Sequence, residues 1–165
     1  MITIVMEPLT IISGAQTGAD LAALDAALAT GIPCGGWVPD QRNNEAGPIP
    51  PHYPVRPLPG GGYKQRMVKN IEDSDATAIV YFSDLEGGTE NTLVQCLRLK
   101  KRYKLIDATE VPPDRAAMAL ATFVRQHTIH RLNIAGPRAS KQPSAYRYTY
   151  ELVTGLIDQL RQRPH

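Results

Sequence analysis

Residues 9–20 read LTIISGAQTGAD, and residues 21–30 continue LAALDAALAT. Leu9 to Ser13 form a β-branched apolar run suited to a buried strand. Gly14 ends the run, and a short loop follows with a second glycine at Gly18. From Ala19 to Thr30 the spacing of Leu21, Ala22, Leu24, Leu28 and Ala29 predicts a helix, with Gly31 where a helix stop is wanted. A strand, a tight glycine loop and a helix make the opening half of a βαβ unit.

The same order recurs twice. Ala76 to Phe82 (ATAIVYF) is a continuous apolar run, as expected of a parallel strand covered on both faces. Glu86-Gly87-Gly88-Thr89 breaks it, and a helix is predicted from about Thr89 to Lys101. Arg131 to Ala135 (RLNIA) is another strand, ended by Gly136-Pro137. A last helix from about Ser144 to Arg163 places Ala145, Tyr148, Leu152, Val153, Leu156, Ile157 and Leu160 on one face. Helical spacing also covers Tyr63 to Ser74 and Pro112 to Arg125, the latter with prolines in its tolerant opening positions. Cys34 to Val38 and Lys104 to Asp107 read as short strands. The pattern predicts an α/β fold: a single Rossmann-like three-layer domain over residues 1–165, its mostly parallel central sheet flanked by helices.

Pro39 to Gly62 interrupts this order. It holds prolines 39, 48, 50, 51, 54, 57 and 59 and glycines 47, 60, 61 and 62, which no helix or central strand tolerates. Too little chain precedes it for a separate domain, so it reads as a long ordered loop, a candidate lid or ligand wall. A polar surface loop is the alternative.

Composition excludes several classes. The 165 residues are 42% hydrophobic and 21% charged, which is globular rather than disordered. A net charge of +2 does not suggest a nucleic-acid binder. No apolar run is long enough to cross a bilayer. Met1 to Thr10 lacks the basic start and apolar stretch of a secretory signal. Cys34 and Cys96 have no CxxC or CxxH neighbour, so they read as reduced thiols of a cytoplasmic protein, and no metal site is predicted. His52, His127, His130 and His165 show no metal spacing, and Trp37 reads as half-buried core or as a platform for a flat ring.

The chemistry gathers at the three strand ends. Their loops hold Gly14, Gln16, Thr17, Gly18 and Asp20; Gly87, Gly88, Thr89, Asn91 and Thr92; and Gly136, Pro137, Arg138 and Ser140. In an open α/β sheet such loops meet at the carboxyl edge, where ligands bind. Free N–H groups of the following helix face an anion, hydroxyls add donors, and an Arg fork can take a phosphate bidentately. The first loop is not a P-loop, since no Lys follows Gly18, and it does not match GxGxxG. Each loop also has a plainer reading, a turn that uses glycine for geometry alone, with Arg138 an exposed surface cation. Taken together the three predict a small phosphate-bearing ligand.

The segments IISGAQTGAD, GIPCGGWVPDQRNNEAGPIPPHYP, NIEDSDATAIVYF, GGTENT and RLNIAGPRASK together resemble the molybdenum carrier family. That family is a circularly permuted, YpsA-type branch of the SLOG, or lysine-decarboxylase-like, Rossmannoid superfamily. The resemblance spans roughly Thr10 to Tyr146. It implies a Rossmann-like fold with a pocket over the strand ends, and homo-oligomers (dimer or tetramer) that bind the molybdenum cofactor, a pterin phosphate, or a nucleotide. By motif it implies the same loop residues that the phosphate argument selects.

Phosphoribohydrolases of that superfamily carry PGGxGTxxE, whose final Glu acts on the ribose. Here Gly87-Gly88 is followed by TENTLVQ, without the second glycine, and the Glu position falls on an apolar or amide residue. Glu90 is nearby but out of register. Cleaving an N-glycosidic bond calls for a placed carboxylate, so the reading favours a carrier or binding protein with no catalytic residue. The alternative is a phosphoribohydrolase-like enzyme using Glu90, Asp20 or Glu45 as acid or base.

Overall fold

The computed structural model describes residues 9–162. The main sheet has five parallel strands in the order β2-β1-β9-β7-β8. These are β1 (Thr10–Ile12), β2 (Cys34–Gly35), β7 (Ala76–Tyr81), β8 (Arg102–Asp107) and β9 (Arg131–Ala135). Two small ladders stand outside it: β3 (Trp37–Val38) with β6 (Arg56–Pro57), and β4 (Asn43–Asn44) with β5 (Gly47–Pro48). The helices are α1 (Ala19–Thr30), α2 (Tyr63–Glu72), α3 (Gly87–Leu99), α4 (Pro113–Gln126) and α5 (Ala145–Arg161). Among the described residues no helix is long and apolar enough to cross a membrane.

The layers follow from strand alternation. Ala76, Ala78 and Val80 of β7 face a core shared with α1, α4 and α5, where Leu120, Leu152, Val153 and Leu156 are fully buried. Ile79 points the other way, onto Ile71 of α2 and Cys96 of α3. The α/β three-layer fold expected from the sequence is the one observed.

Three local expectations need correction. The buried side of α1 is its alanine stripe, Ala22, Ala23, Ala26 and Ala27 with Leu24, while Leu28 is exposed. This helix is apolar nearly all round, so leucine spacing gave no direction. Alanines let it sit close against α5 and the sheet. The predicted strand Cys34–Val38 is two strands. Gly36, at φ 143, turns the chain between them, and a Cβ there would lie 2.0 Å from the Ser13 carbonyl oxygen. Only β2 stays in the main sheet. Finally, α3 starts at Gly87 rather than Thr89, so both glycines belong to its first turn. The end of α5 ascribed to Arg163 lies outside the described residues.

The proline-rich segment is ordered by side chains and short ladders. Arg42 donates to three carbonyl oxygens, Val55 (2.8 Å), Pro50 (3.1 Å) and Tyr53 (3.1 Å). Ile49, Tyr53 and Val55 pack with Leu24, Val38 and Ala15 in a second apolar cluster. The Asn44 amide donates to the Ala15 carbonyl at 2.9 Å. Tyr53 donates to Asp25 at 2.7 Å, and Tyr146 of α5 donates to the same carboxylate. These contacts hold residues 39–62 against the first glycine loop.

Candidate functional site

The three glycine loops meet over the carboxyl ends of β1, β7 and β9. Gly18, at φ 81, lets the first loop touch the third; a Cβ there would lie 2.4 Å from the Pro137 carbonyl. The Ala19 N–H donates to that carbonyl at 3.1 Å. Between the loops and α2 lies a cavity of about 280 Å³. This is just below the usual range for small-molecule sites.

Eight of the fourteen sequence-selected residues line this cavity: Gln16, Asp20, Gly88, Thr89, Thr92, Gly136, Pro137 and Arg138. Gly14 lines a small adjoining recess. Thr17, Gly18, Gly87, Asn91 and Ser140 do not line the cavity. Gly88 stands in the opening turn of α3, and a Cβ on it would meet nothing within 4 Å. The space beside that turn is open, and the first N–H groups of a helix have no partner within the helix. The Thr92 hydroxyl donates back to the Gly88 carbonyl at 2.9 Å, so it steadies the turn. Asn91 is occupied in another direction, accepting from the Gln95 amide at 3.3 Å.

The third loop is already paired. Glu45, from the proline-rich segment, accepts the Ser140 N–H at 3.1 Å and the Ser140 hydroxyl at 2.5 Å. It also accepts the Thr17 hydroxyl and lies 3.8 Å from Arg138 Nε. Those hydroxyl and N–H bonds, with Arg138 beside them, hold its carboxyl below the usual range. Its own N–H donates to Gln16 at 3.0 Å. A carboxylate thus sits where the sequence placed phosphate donors.

Asp20 is buried at the start of α1, with its side chain 7% exposed. Burial pushes its carboxyl up to about 6, opposed by Arg66 and by backbone N–H bonds, including one from Gln16 at 3.2 Å. Sequence reasoning missed Arg66, along with Tyr63 and Met67 of α2, Tyr81 and Phe82 at the end of β7, Asp84 and Glu86 before α3, and Lys141 and Gln142 after β9. The sequence marks α2 only by its helical spacing, with no ligand role, yet Tyr63, Arg66 and Met67, three and four positions apart on one face, line the cavity. An Arg on that face was the available signal. Trp37 does not line the cavity. Its ring lies under Arg56, 4.7 Å away, and its indole N–H donates to Asp73 at 2.6 Å.

Among the described residues no three His, Cys, Asp or Glu side chains are grouped to hold a metal ion. Glu90 is exposed and does not line the cavity.

A family model described as "Circularly permutated YpsA SLOG family" matches residues 11–157. The chain belongs to that family. This confirms the resemblance drawn from the loop motifs, and the parallel sheet is consistent with the SLOG Rossmann-like fold. Among solved structures the chain is similar to one from Syntrophus aciditrophicus SB named "Putative molybdenum carrier protein". The two share 40% identity over 92% of this chain and 96% of the other, with a TM-score of 0.88. No curated protein matches.

Proposed function

We propose that this SLOG family member is a carrier or sensor that binds a small phosphate-bearing ligand in the 280 Å³ cavity. One observation carries the reading: Gly88 and Thr89, in the opening turn of α3, line the cavity together with Arg138 and Lys141. Helix N–H groups and two cations suit an oxyanion. Tyr63, Tyr81 and Phe82 supply flat surfaces for a ring. The ligand class is therefore a ring bearing a phosphate ester, a molybdopterin-type cofactor or a nucleotide. The name of the Syntrophus neighbour favours the former. In that reading the metal arrives as cargo inside the organic ligand, and the single domain works in the cytoplasm as a homo-oligomer.

The residues fit such a group at its phosphate end. Thr89 is buried in the cavity wall, and Gly136 lines the cavity where a Cβ would fall 2.7 Å from the Ala19 Cβ. A thermal-shift series with nucleoside 5′-monophosphates tests the binding. Binding raises the melting temperature by mass action in wild type. The rise shrinks in Thr89→Ala/Arg138→Ala, with unliganded stability kept. An unchanged rise in that double variant removes the assignment.

Asp20 favours a second reading, a hydrolase, because a carboxyl near 6 inside a cavity suits a general acid. Free base released from a nucleoside monophosphate, and abolished by Asp20→Asn, would establish it. Intact nucleotide after incubation with a large molar amount of protein would exclude it for that nucleotide.

A further inference from the structure

Arg66 is an incompletely satisfied charged group of the cavity. Its side chain is 12% exposed, and Nη1 lies 3.6 Å from Asp20 Oδ2, beyond hydrogen-bond length. Its Nε is buried with no hydrogen-bond partner among the described residues. The Tyr63 ring lies 5.6 Å from the guanidinium carbon. Space for the guanidinium depends on Gly14, where a Cβ would fall 1.9 Å from Nη1. A buried donor left unpaired costs about 1–3 kcal/mol. The fold thus makes room for a planar fork of donors and leaves it short of acceptors, at the wall of an open cavity. A tetrahedral oxyanion with two free oxygens matches that fork.

We propose that Arg66 is the anion-gripping residue of this cavity and that Asp20 is its internal counter-ion, so that an oxyanion entering the cavity takes over Arg66 while Asp20 takes up a proton. The proposal rests on the ligand-binding reading above and deepens it. No covalent bond to the ligand forms or breaks. One proton from solvent joins the Asp20 carboxylate, which keeps the N–H bond it accepts from Gln16. The charged and titratable groups facing the pair are Tyr63 on α2, Tyr81 on β7, Asp84 and Glu86 before α3, and Arg138 and Lys141 after β9. With Asp20 ionised, its charge and those of Asp84 and Glu86 balance Arg66, Arg138 and Lys141. With Asp20 protonated, the lining is net positive. Burial already raises the Asp20 carboxyl, and transfer of Arg66 to another anion raises it further.

Inorganic sulfate is the probe, because its charge does not change between pH 5 and 8. The wild-type chain is titrated with sodium sulfate at fixed ionic strength, following the amide resonances of Gly14 and Gly88. Wild type should bind about tenfold more weakly at pH 7.5 than at pH 5. Asp20→Asn should bind equally at both, close to the wild-type affinity at pH 5. Arg66→Met should bind at least about tenfold more weakly at pH 5, and Arg66→Lys should fall between. Circular dichroism shows whether each variant is folded. If Arg66→Met does not fold, the isosteric Asp20→Asn decides alone. Wild-type affinity in Arg66→Met, or the wild-type pH slope in Asp20→Asn, overturns the proposal. Sulfate binding lost in Thr89→Ala but kept in Arg66→Met overturns it while leaving the cavity reading intact. A wild-type chain silent to sulfate at both pH values, with no melting-temperature rise from any nucleoside monophosphate, overturns both.

Discussion

Two sides of the strand-end loop cluster differ in how their donors are used. On one side, Thr17 and Ser140 give their donors to the Glu45 carboxylate, so the chain supplies its own anion. On the other, Gly88 in the first turn of α3 borders open space and Arg66 keeps an unpaired Nε. Both sides carry residue types that suit phosphate. Only the second leaves donors without acceptors, and buried donors without acceptors are what a ligand can relieve. The difference teaches that a donor set marks a ligand seat only when nothing in the fold already fills it.

The largest effect should come from closing the space beneath Arg66. Gly14→Val drives a branched side chain into the guanidinium, 1.9 Å from even an ideal Cβ. It should abolish ligand binding, as read by calorimetric titration, while costing little stability, because the atoms it meets are the far end of a flexible side chain. Wild-type binding in this variant would mean that Arg66 does not need its present position.

Next come the two carboxylates, whose titrations act on stability with opposite signs. The folded-state value of Asp20 is raised to about 6, so its contribution is full below about 4 and is lost as pH rises toward 6. Between those limits wild type should lose roughly 2–3 kcal/mol relative to Asp20→Asn. Glu45 is shifted the other way, so its contribution is present above its ordinary value and is lost as pH falls through the lowered one. Paired unfolding curves of Glu45→Gln and wild type should therefore diverge at neutral pH and converge in acid. The neutral-pH gap should be about 1 kcal/mol, since the hydrogen bonds are charge-assisted but solvent-exposed. Parallel curves for either pair would break the contrast between the two sides.

Smallest is Arg138→Ala alone. Its ion pair with Glu45 is 3.8 Å long and its side chain is 47% exposed, so stability should change by under about 0.5 kcal/mol. A loss much above that would make Arg138 a structural strut rather than a cavity cation.

The sheet was legible in the sequence because Ala76–Tyr81 is a nearly continuous apolar run and Arg131–Ala135 ends directly in Gly136-Pro137. Eight cavity residues were legible for the same reason, since loops after parallel strands converge. Other features were hidden by long-range geometry. Glu45 reaches Ser140 across 95 positions, and nothing local to either residue announces that pairing. Arg66 was not singled out, because helical period gives a face but not what that face meets. The split at Gly36 depends on the Ser13 carbonyl passing 2.0 Å from where a Cβ would stand, a contact between separate strands.

The central claim is that the open side of this cavity holds an organic phosphate ester. Native mass spectrometry of the protein purified from its own host tests it most directly. The account predicts a mass increment of one phosphate ester per chain, absent from the Thr89→Ala/Arg138→Ala variant prepared identically. Bare polypeptide mass in the wild type, or the same increment in both proteins, would contradict it.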